Sequence, residues 1–152
     1  MDDFAVYIST RVAARLLNLA NRKIEAWEAR TGFKMAENKT KIVIFYKDKR
    51  WVKDQNINIT LNNKTIPIED HYKYLGVIFD THLNWDKHIS YVKTRCKKAL
   101  KILKKLSHTN WGADRKTLRI LYRATVLPIL DYGSQIYGSA TPVKLKLLPS
   151  WK

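Results

Sequence analysis

The 152-residue sequence predicts an α+β fold, and three observations carry that reading. In the first half one helical apolar period lies among several short apolar runs of strand length. After Trp85 the period is helical throughout. The hydrophobic share of 45%, with 5 Trp and 8 Tyr, supplies enough apolar surface for a packed core, and only 5 Gly and 4 Pro exclude a low-complexity or collagen-like chain.

Taken in order, Phe4–Ile8 is a short apolar run that predicts a strand, after which Ser9 or Thr10 is placed to cap a helix. Val12, Ala13, Leu16, Leu17, Ala20, Ile24 and Trp27 then recur at three- and four-residue steps, and Thr31-Gly32 supplies a left-handed stop. Lys41–Tyr46 is continuously apolar through Ile42, Val43, Ile44 and Phe45, which suits a strand covered on both faces. Ile57, Ile59 and Leu61 alternate with polar residues up to Asn62-Asn63-Lys64, and Ile66 and Ile68 come next, which predicts a hairpin. Tyr74–Phe79 reads as one further strand.

From Trp85 onward, Ile89, Val92, Cys96, Ala99, Leu103 and Leu106 form a helical seam. Lys93, Lys97, Lys101, Lys104 and Lys105 project to the opposite side, so the predicted helix is basic and amphipathic. Trp85 and Trp111, which flank it, are expected as core anchors in preference to base-stacking platforms. Leu118, Leu121, Tyr122 and Thr125 signal a second helix ending near Pro128. Residues 141–152, closing in Pro149-Ser150-Trp151-Lys152, are expected to be a truncated tail, which gives three regions: 1–84, 85–140 and 141–152.

Charge divides unevenly along the chain. Residues 1–86 hold 14 Lys/Arg against 11 Asp/Glu, whereas residues 87–152 hold 15 Lys/Arg against Asp114 and Asp131 alone, within a net charge of +16. Charge runs usually form solvated faces, but acids normally alternate with the lysines on such faces, and none occurs between Asp86 and Asp114. A polyanion backbone is the expected partner of this half, bound through counterion release and without base specificity, although an anionic membrane surface would satisfy the same electrostatics. A single Cys forms no internal disulfide and points to a reducing, intracellular compartment. With no apolar stretch of roughly 18 to 20 residues and no basic segment at the start, neither a membrane span nor secretion is expected. His71, His82, His88 and His108 show no metal-ligand spacing with Cys96.

Adjacent carboxylates such as Asp2-Asp3 can hold divalent cations through hard oxygen ligands, although at a chain start the residue types alone favour a solvated terminus. The succession of segments along the chain is more specific. Asp2-Asp3-Phe4-Ala5-Val6-Tyr7 resembles the paired-aspartate turn of reverse transcriptases. Gly32 to Phe45, with Lys39-Thr40 before an apolar run, is similar to the next palm motif of non-LTR retrotransposon enzymes. Tyr74-Leu75-Gly76-Val77-Ile78-Phe79-Asp80, with Leu83, Trp85, His88 and Ile89, resembles the primer grip and the entry to the thumb. Leu121 to Gly133 resembles a thumb segment of the jockey-like group.

The resemblance implies the C-terminal part of a palm over residues 1–84 and a helical thumb after it. The implied parent activity is RNA-templated DNA synthesis with Mg2+, on an RNA template and a DNA primer. Asp2 and Asp3 would be metal ligands, and Lys39 would neutralise or protonate the leaving pyrophosphate, since positive charge at a developing oxyanion lowers the barrier. Residue type alone makes Lys39 an exposed lysine entering a strand. Tyr74, Leu75 and Gly76 would form the primer grip, with Gly76 equally readable as a residue that relieves sheet strain. Lys93, Lys97, Lys101, Lys104 and Lys105 would contact the nucleic-acid backbone. The family implies a third aspartate and fingers preceding this sequence, on the same or a separate polypeptide, so the chain alone is expected to be inactive as a polymerase. Two other readings stand beside this one: a basic nucleic-acid-binding module that uses only the helices after Trp85, and a decayed element copy without function.

Overall fold

The computed structural model describes residues 4–9, 13–46, 58–62, 64–108 and 110–149, and the order of its elements is α+β as predicted. The chain forms two units, Met1–Leu75 with Asp80–Leu83, and Gly76–Phe79 with Asn84–Lys152.

In the first unit, α1 (Ala13–Thr31) stops where predicted: Gly32 takes φ 77 and its N–H returns to the Glu28 carbonyl at 2.9 Å. The predicted cap Thr10 and seam residue Val12 lie outside the described residues. Leu17 and Ile24 pack with Met35 and Ile42 against buried Ile59, Leu61 and Ile66. The remainder of the predicted seam is more open. Leu16 and Trp27 are each 40% exposed, and Trp27 stacks on Phe33 with ring centroids 5.9 Å apart. A polar stripe takes the contact instead. The Asn18 amide donates to the Asn58 carbonyl and accepts from the Thr60 N–H, Asn21 donates to the Thr60 carbonyl at 2.8 Å, and Glu25 accepts the Asn62 N–H. One turn further on, the buried Glu28 carboxylate accepts from the Asn62 amide and the Met35 N–H. These side chains satisfy backbone groups on the edge of a strand that would otherwise lack partners.

That strand, β1 (Thr60–Leu61), pairs antiparallel with β2 (Lys64–Thr65) in the register Thr60↔Thr65 and Leu61↔Lys64, so the predicted hairpin exists in shortened form. Ile57 and Asn63 lie outside the described residues. The predicted strand Lys41–Tyr46 is corrected to a single parallel bridge, Ile42↔Ile68, with Phe45 50% exposed. The bridge consists of the Ile42 N–H donating to the Pro67 carbonyl at 3.1 Å and the Glu69 N–H donating to the Ile42 carbonyl at 2.8 Å; further on, the Tyr46 N–H turns to a different segment and donates to the Thr81 carbonyl at 3.1 Å. The predicted strand Phe4–Ile8 is corrected to irregular chain, with Tyr7 90% exposed and Phe4 62% exposed, because an apolar run becomes a strand only where a neighbour pairs with its backbone.

The predicted strand Tyr74–Phe79 is corrected to a reversal. β3 (His71–Tyr74) and β4 (Val77–Asp80) make a two-stranded sheet turned at Leu75-Gly76, whose φ values of 45 and 80 match the two positive φ angles of a type I′ turn. The division between the units falls at this turn.

In the second unit, α2 (Asp86–Leu106) comes after Trp85, which sits at φ 65, 4% exposed, and donates its indole N–H to the Ser139 hydroxyl at 3.0 Å. Trp85 is thus a core anchor, packed with Val77, Ile89, Tyr137 and Ala140. The α2 seam buries Ile89, Val92 and Cys96 as predicted, while Leu106 at its end is 37% exposed. α3 (Arg115–Thr125) lays Tyr122 against Val92 and Cys96, and Val126 just beyond it is fully buried in the same cluster. Three short helices complete the unit: α4 (Leu127–Asp131), α5 (Ser134–Tyr137) and α6 (Pro142–Leu145). Within the expected tail, residues 141–149 are corrected to packed structure, and residues 150–152 lie outside the described residues. Leu145 and Leu148 touch the core, and Lys144 bridges to Asp86 at 2.8 Å and to the Asn84 carbonyl at 3.1 Å. Among the described residues no helix is long and apolar enough to cross a membrane.

Candidate nucleic-acid interface

The packing of α2 decides which of its side chains reach solvent. With Ile89, Val92 and Cys96 turned into the core, Lys97, Lys101, Lys104 and Lys105 are exposed and Lys93 is half-buried. At about 1.5 Å rise per residue the row from Lys93 to Lys105 runs roughly 18 Å, the length of about five base pairs of duplex. None of the five lysines is in an ion pair with a described residue. Lys104 and Lys105 occupy the last turn, where their charge also complements the helix dipole.

α3 adds exposed Arg115, Lys116, Arg119 and Arg123. Asp114, at the start of α3, is engaged. Asp114 caps α3 by accepting the Lys116 and Thr117 N–H groups, and hydrogen bonding from Thr117 holds its carboxyl below the usual range. Arg95 lies over the Tyr91 ring at 5.8 Å. Cys96 is fully buried, and burial pushes its thiol up, which makes it a packing residue and not a nucleophile.

His88 is buried behind this face. Its Nδ1 accepts the Ile78 N–H at 3.2 Å, its ring lies 5.0 Å from Tyr137, and burial lowers its pKa. The Tyr137 hydroxyl in turn donates to the Leu130 carbonyl. These contacts make His88 a structural pin between β4 and α5.

The remaining predicted site residues lie elsewhere. Lys39 ends a short 3₁₀ turn, Glu37–Lys39, and its side chain is exposed. Its carbonyl accepts from the Tyr72 hydroxyl on β3 at 3.3 Å, within the first unit. Tyr74 is half-buried, Leu75 is 56% exposed at the tip of the turn, and Gly76 approaches Tyr132 in the second unit. Asp2 and Asp3 lie outside the described residues. Among the described residues no group of three His, Cys, Asp or Glu side chains could hold a metal ion.

Trp111 departs most from expectation. Predicted as a core anchor, it is 67% exposed and stacks on His108, with centroids 5.0 Å apart and planes 16° from parallel. The connection folds back on the end of α2, with the Ala113 N–H donating to the Leu106 carbonyl at 2.7 Å, and the spacing of tryptophans carries no signal of this.

Comparison with known proteins points in one direction. The chain is 32% identical over 80 residues to a Pol polyprotein from the type-1 retrotransposable element R1 4 of Nasonia vitripennis, covering 53% of this chain and 20% of the relative. It is 25% identical over 137 residues to the corresponding R1 2 polyprotein of the same organism, covering 86% of this chain and 33% of the relative. It is 32% identical over 88 residues to the RNA-directed DNA polymerase from mobile element jockey of Drosophila melanogaster, covering 54% of this chain and 9% of the relative. The chain therefore spans a third or less of the length of these relatives. No family model and no solved structure matches it.

Proposed function

We propose that the chain is a piece of a non-LTR retrotransposon polymerase like its R1 and jockey relatives, and that its second unit holds the template–primer duplex of an RNA-directed DNA polymerase. The supporting observation is the α2 lysine row, with Lys97, Lys101, Lys104 and Lys105 exposed and none of the five paired with a described acid, opposite a seam that buries Ile89, Val92 and Cys96. In this reading the second unit is the thumb and the first belongs to the palm. Leu75-Gly76 presents the chain reversal of a primer grip together with Tyr74, and Lys39 neutralises the leaving pyrophosphate. Asp2 and Asp3 are assigned to Mg2+ on the sequence resemblance alone. In this reading the lysine row and the Leu75-Gly76 turn bind and position nucleic acid.

The test is binding as a function of salt. A polyanion held by about four lysines should give a log-log salt slope of roughly −3 to −4 on B-form DNA, and each Lys→Ala change should reduce its magnitude by about 1. Fluorescence anisotropy with labelled duplex measures both quantities. A slope unchanged after replacing Lys97, Lys101 and Lys104 together would reject the lysine row as the binding face.

A further inference from the structure

We infer that Trp111 is a stacking platform for an unpaired nucleobase, so that the loop joining α2 to α3 grips a single strand beside the lysine row; this deepens the nucleic-acid reading and rests on it. A large indole 67% exposed forgoes burial that a globular fold ordinarily secures, and it is held in place while doing so. One face lies on His108, within 16° of parallel. The histidine is itself fixed, its Nδ1 accepting the Asn110 N–H at 3.3 Å.

Around the pair the backbone is closed by Gly112 N–H to the His108 carbonyl at 2.8 Å and Ala113 N–H to the Leu106 carbonyl at 2.7 Å. A Cβ at position 112 would stand 2.2 Å from the His108 carbonyl oxygen, so only glycine lets the loop fold this tightly beneath the ring. The indole is thereby preorganised and loses little freedom when a planar ligand covers its other face.

Charge selects the ligand. Lys104, Lys105, Arg115 and Lys116 flank the loop in sequence, and the acid within it, Asp114, is engaged in capping α3. A flat aromatic face amid cations is the combination that binds single-stranded nucleic acid, in which bases stack while phosphates pair with the charges.

The experiment compares Trp111→Ala, Trp111→Phe and the wild-type chain in anisotropy titrations with two labelled probes, an oligodeoxythymidylate of about 16 nucleotides and a blunt duplex of about the same length. Trp111→Ala should weaken oligodeoxythymidylate binding about 5- to 100-fold with an unchanged salt slope, should leave the blunt duplex within about twofold, and should be largely rescued by Phe. Far-UV circular dichroism should be the same in all three proteins, because the ring lies outside the core. Unchanged oligodeoxythymidylate affinity, or an equal loss on both probes, would overturn the proposal. A loss of binding to phosphatidylserine-containing vesicles without a loss on the oligonucleotide would likewise overturn it, in favour of a membrane contact. The Lys97, Lys101 and Lys104 triple Ala variant separates the two readings: an unchanged duplex slope rejects the lysine row, while a selective Trp111→Ala defect still supports the platform.

Discussion

Replacing Gly76 by Ala tests the chain reversal at the junction of β3 and β4. Gly76 sits at φ 80, where an L-residue with a Cβ pays about 1–2 kcal/mol. The new Cβ would also stand 2.9 Å from Tyr132 Cε1, well inside the ordinary carbon–carbon contact of about 3.5–4.0 Å. The ring is 57% exposed and can turn away, at the cost of an off-rotamer side chain, about 0.5–1.5 kcal/mol. The expected loss is therefore about 1.5–3.5 kcal/mol. Gly32→Ala supplies the control. It has φ 77 but nothing within 4 Å of its Cβ, so it should lose only the backbone part, about 1–2 kcal/mol. Urea denaturation monitored by circular dichroism measures each loss, and repeating Gly76→Ala in a Tyr132→Ala background should remove the excess. A loss below about 0.5 kcal/mol would refute the left-handed turn, since that is less than the backbone cost alone. An excess that persists without Tyr132 would refute the contact.

Burial holds the His88 imidazole below its ordinary value of 6.5, so the unfolded chain takes up the proton first, and stability that is full above about pH 6.5 should fall as pH drops towards the folded-state value; unfolding midpoints at pH 7.5 and 5.5 should differ more in wild type than in His88→Gln. Ile89→Ala empties a site 2% exposed and should cost about 2–5 kcal/mol, read by thermal unfolding. Glu28→Ala leaves the Met35 N–H and the Asn62 amide without their acceptor and should raise hydrogen exchange in α1 and the β1–β2 hairpin while leaving α2 and α3 protected. Primer extension by the 152-residue chain with Mg2+ should stay at the level of an Asp2→Asn/Asp3→Asn double variant, because two-metal transfer needs carboxylates on both ions; extension above that level would show a complete site.

Some of this protein was legible in its residues alone. The extents of α1 and α2 derive from apolar residues three and four apart, a local period that survives any tertiary arrangement, and Gly32 ends α1 because a left-handed stop is a property of one residue. The lysine row was equally plain, since a packed seam of Ile89, Val92 and Cys96 leaves the other side of the helix to solvent.

What the period could not say was whether a strand finds a partner. Lys41–Tyr46 reads as a buried strand and keeps one bridge, because a ladder depends on a distant segment running alongside, and by Tyr46 the N–H donates to Thr81 and not to the segment that Ile42 pairs with. Tyr74–Phe79 reads as one apolar run, yet it reverses at Leu75-Gly76, where the outward-pointing Leu75 hides the turn from any hydropathy pattern. The polar stripe of α1 that satisfies the β1 edge had no sequence signal, since Asn18, Asn21, Glu25 and Glu28 look like a solvated face until a strand lies against them. Trp85 and Trp111 make the same point with identical side chains. Composition treats them alike, and only tertiary structure buries the first beneath Ser139 and leaves the second on the surface, because burial depends on what the rest of the chain brings within reach.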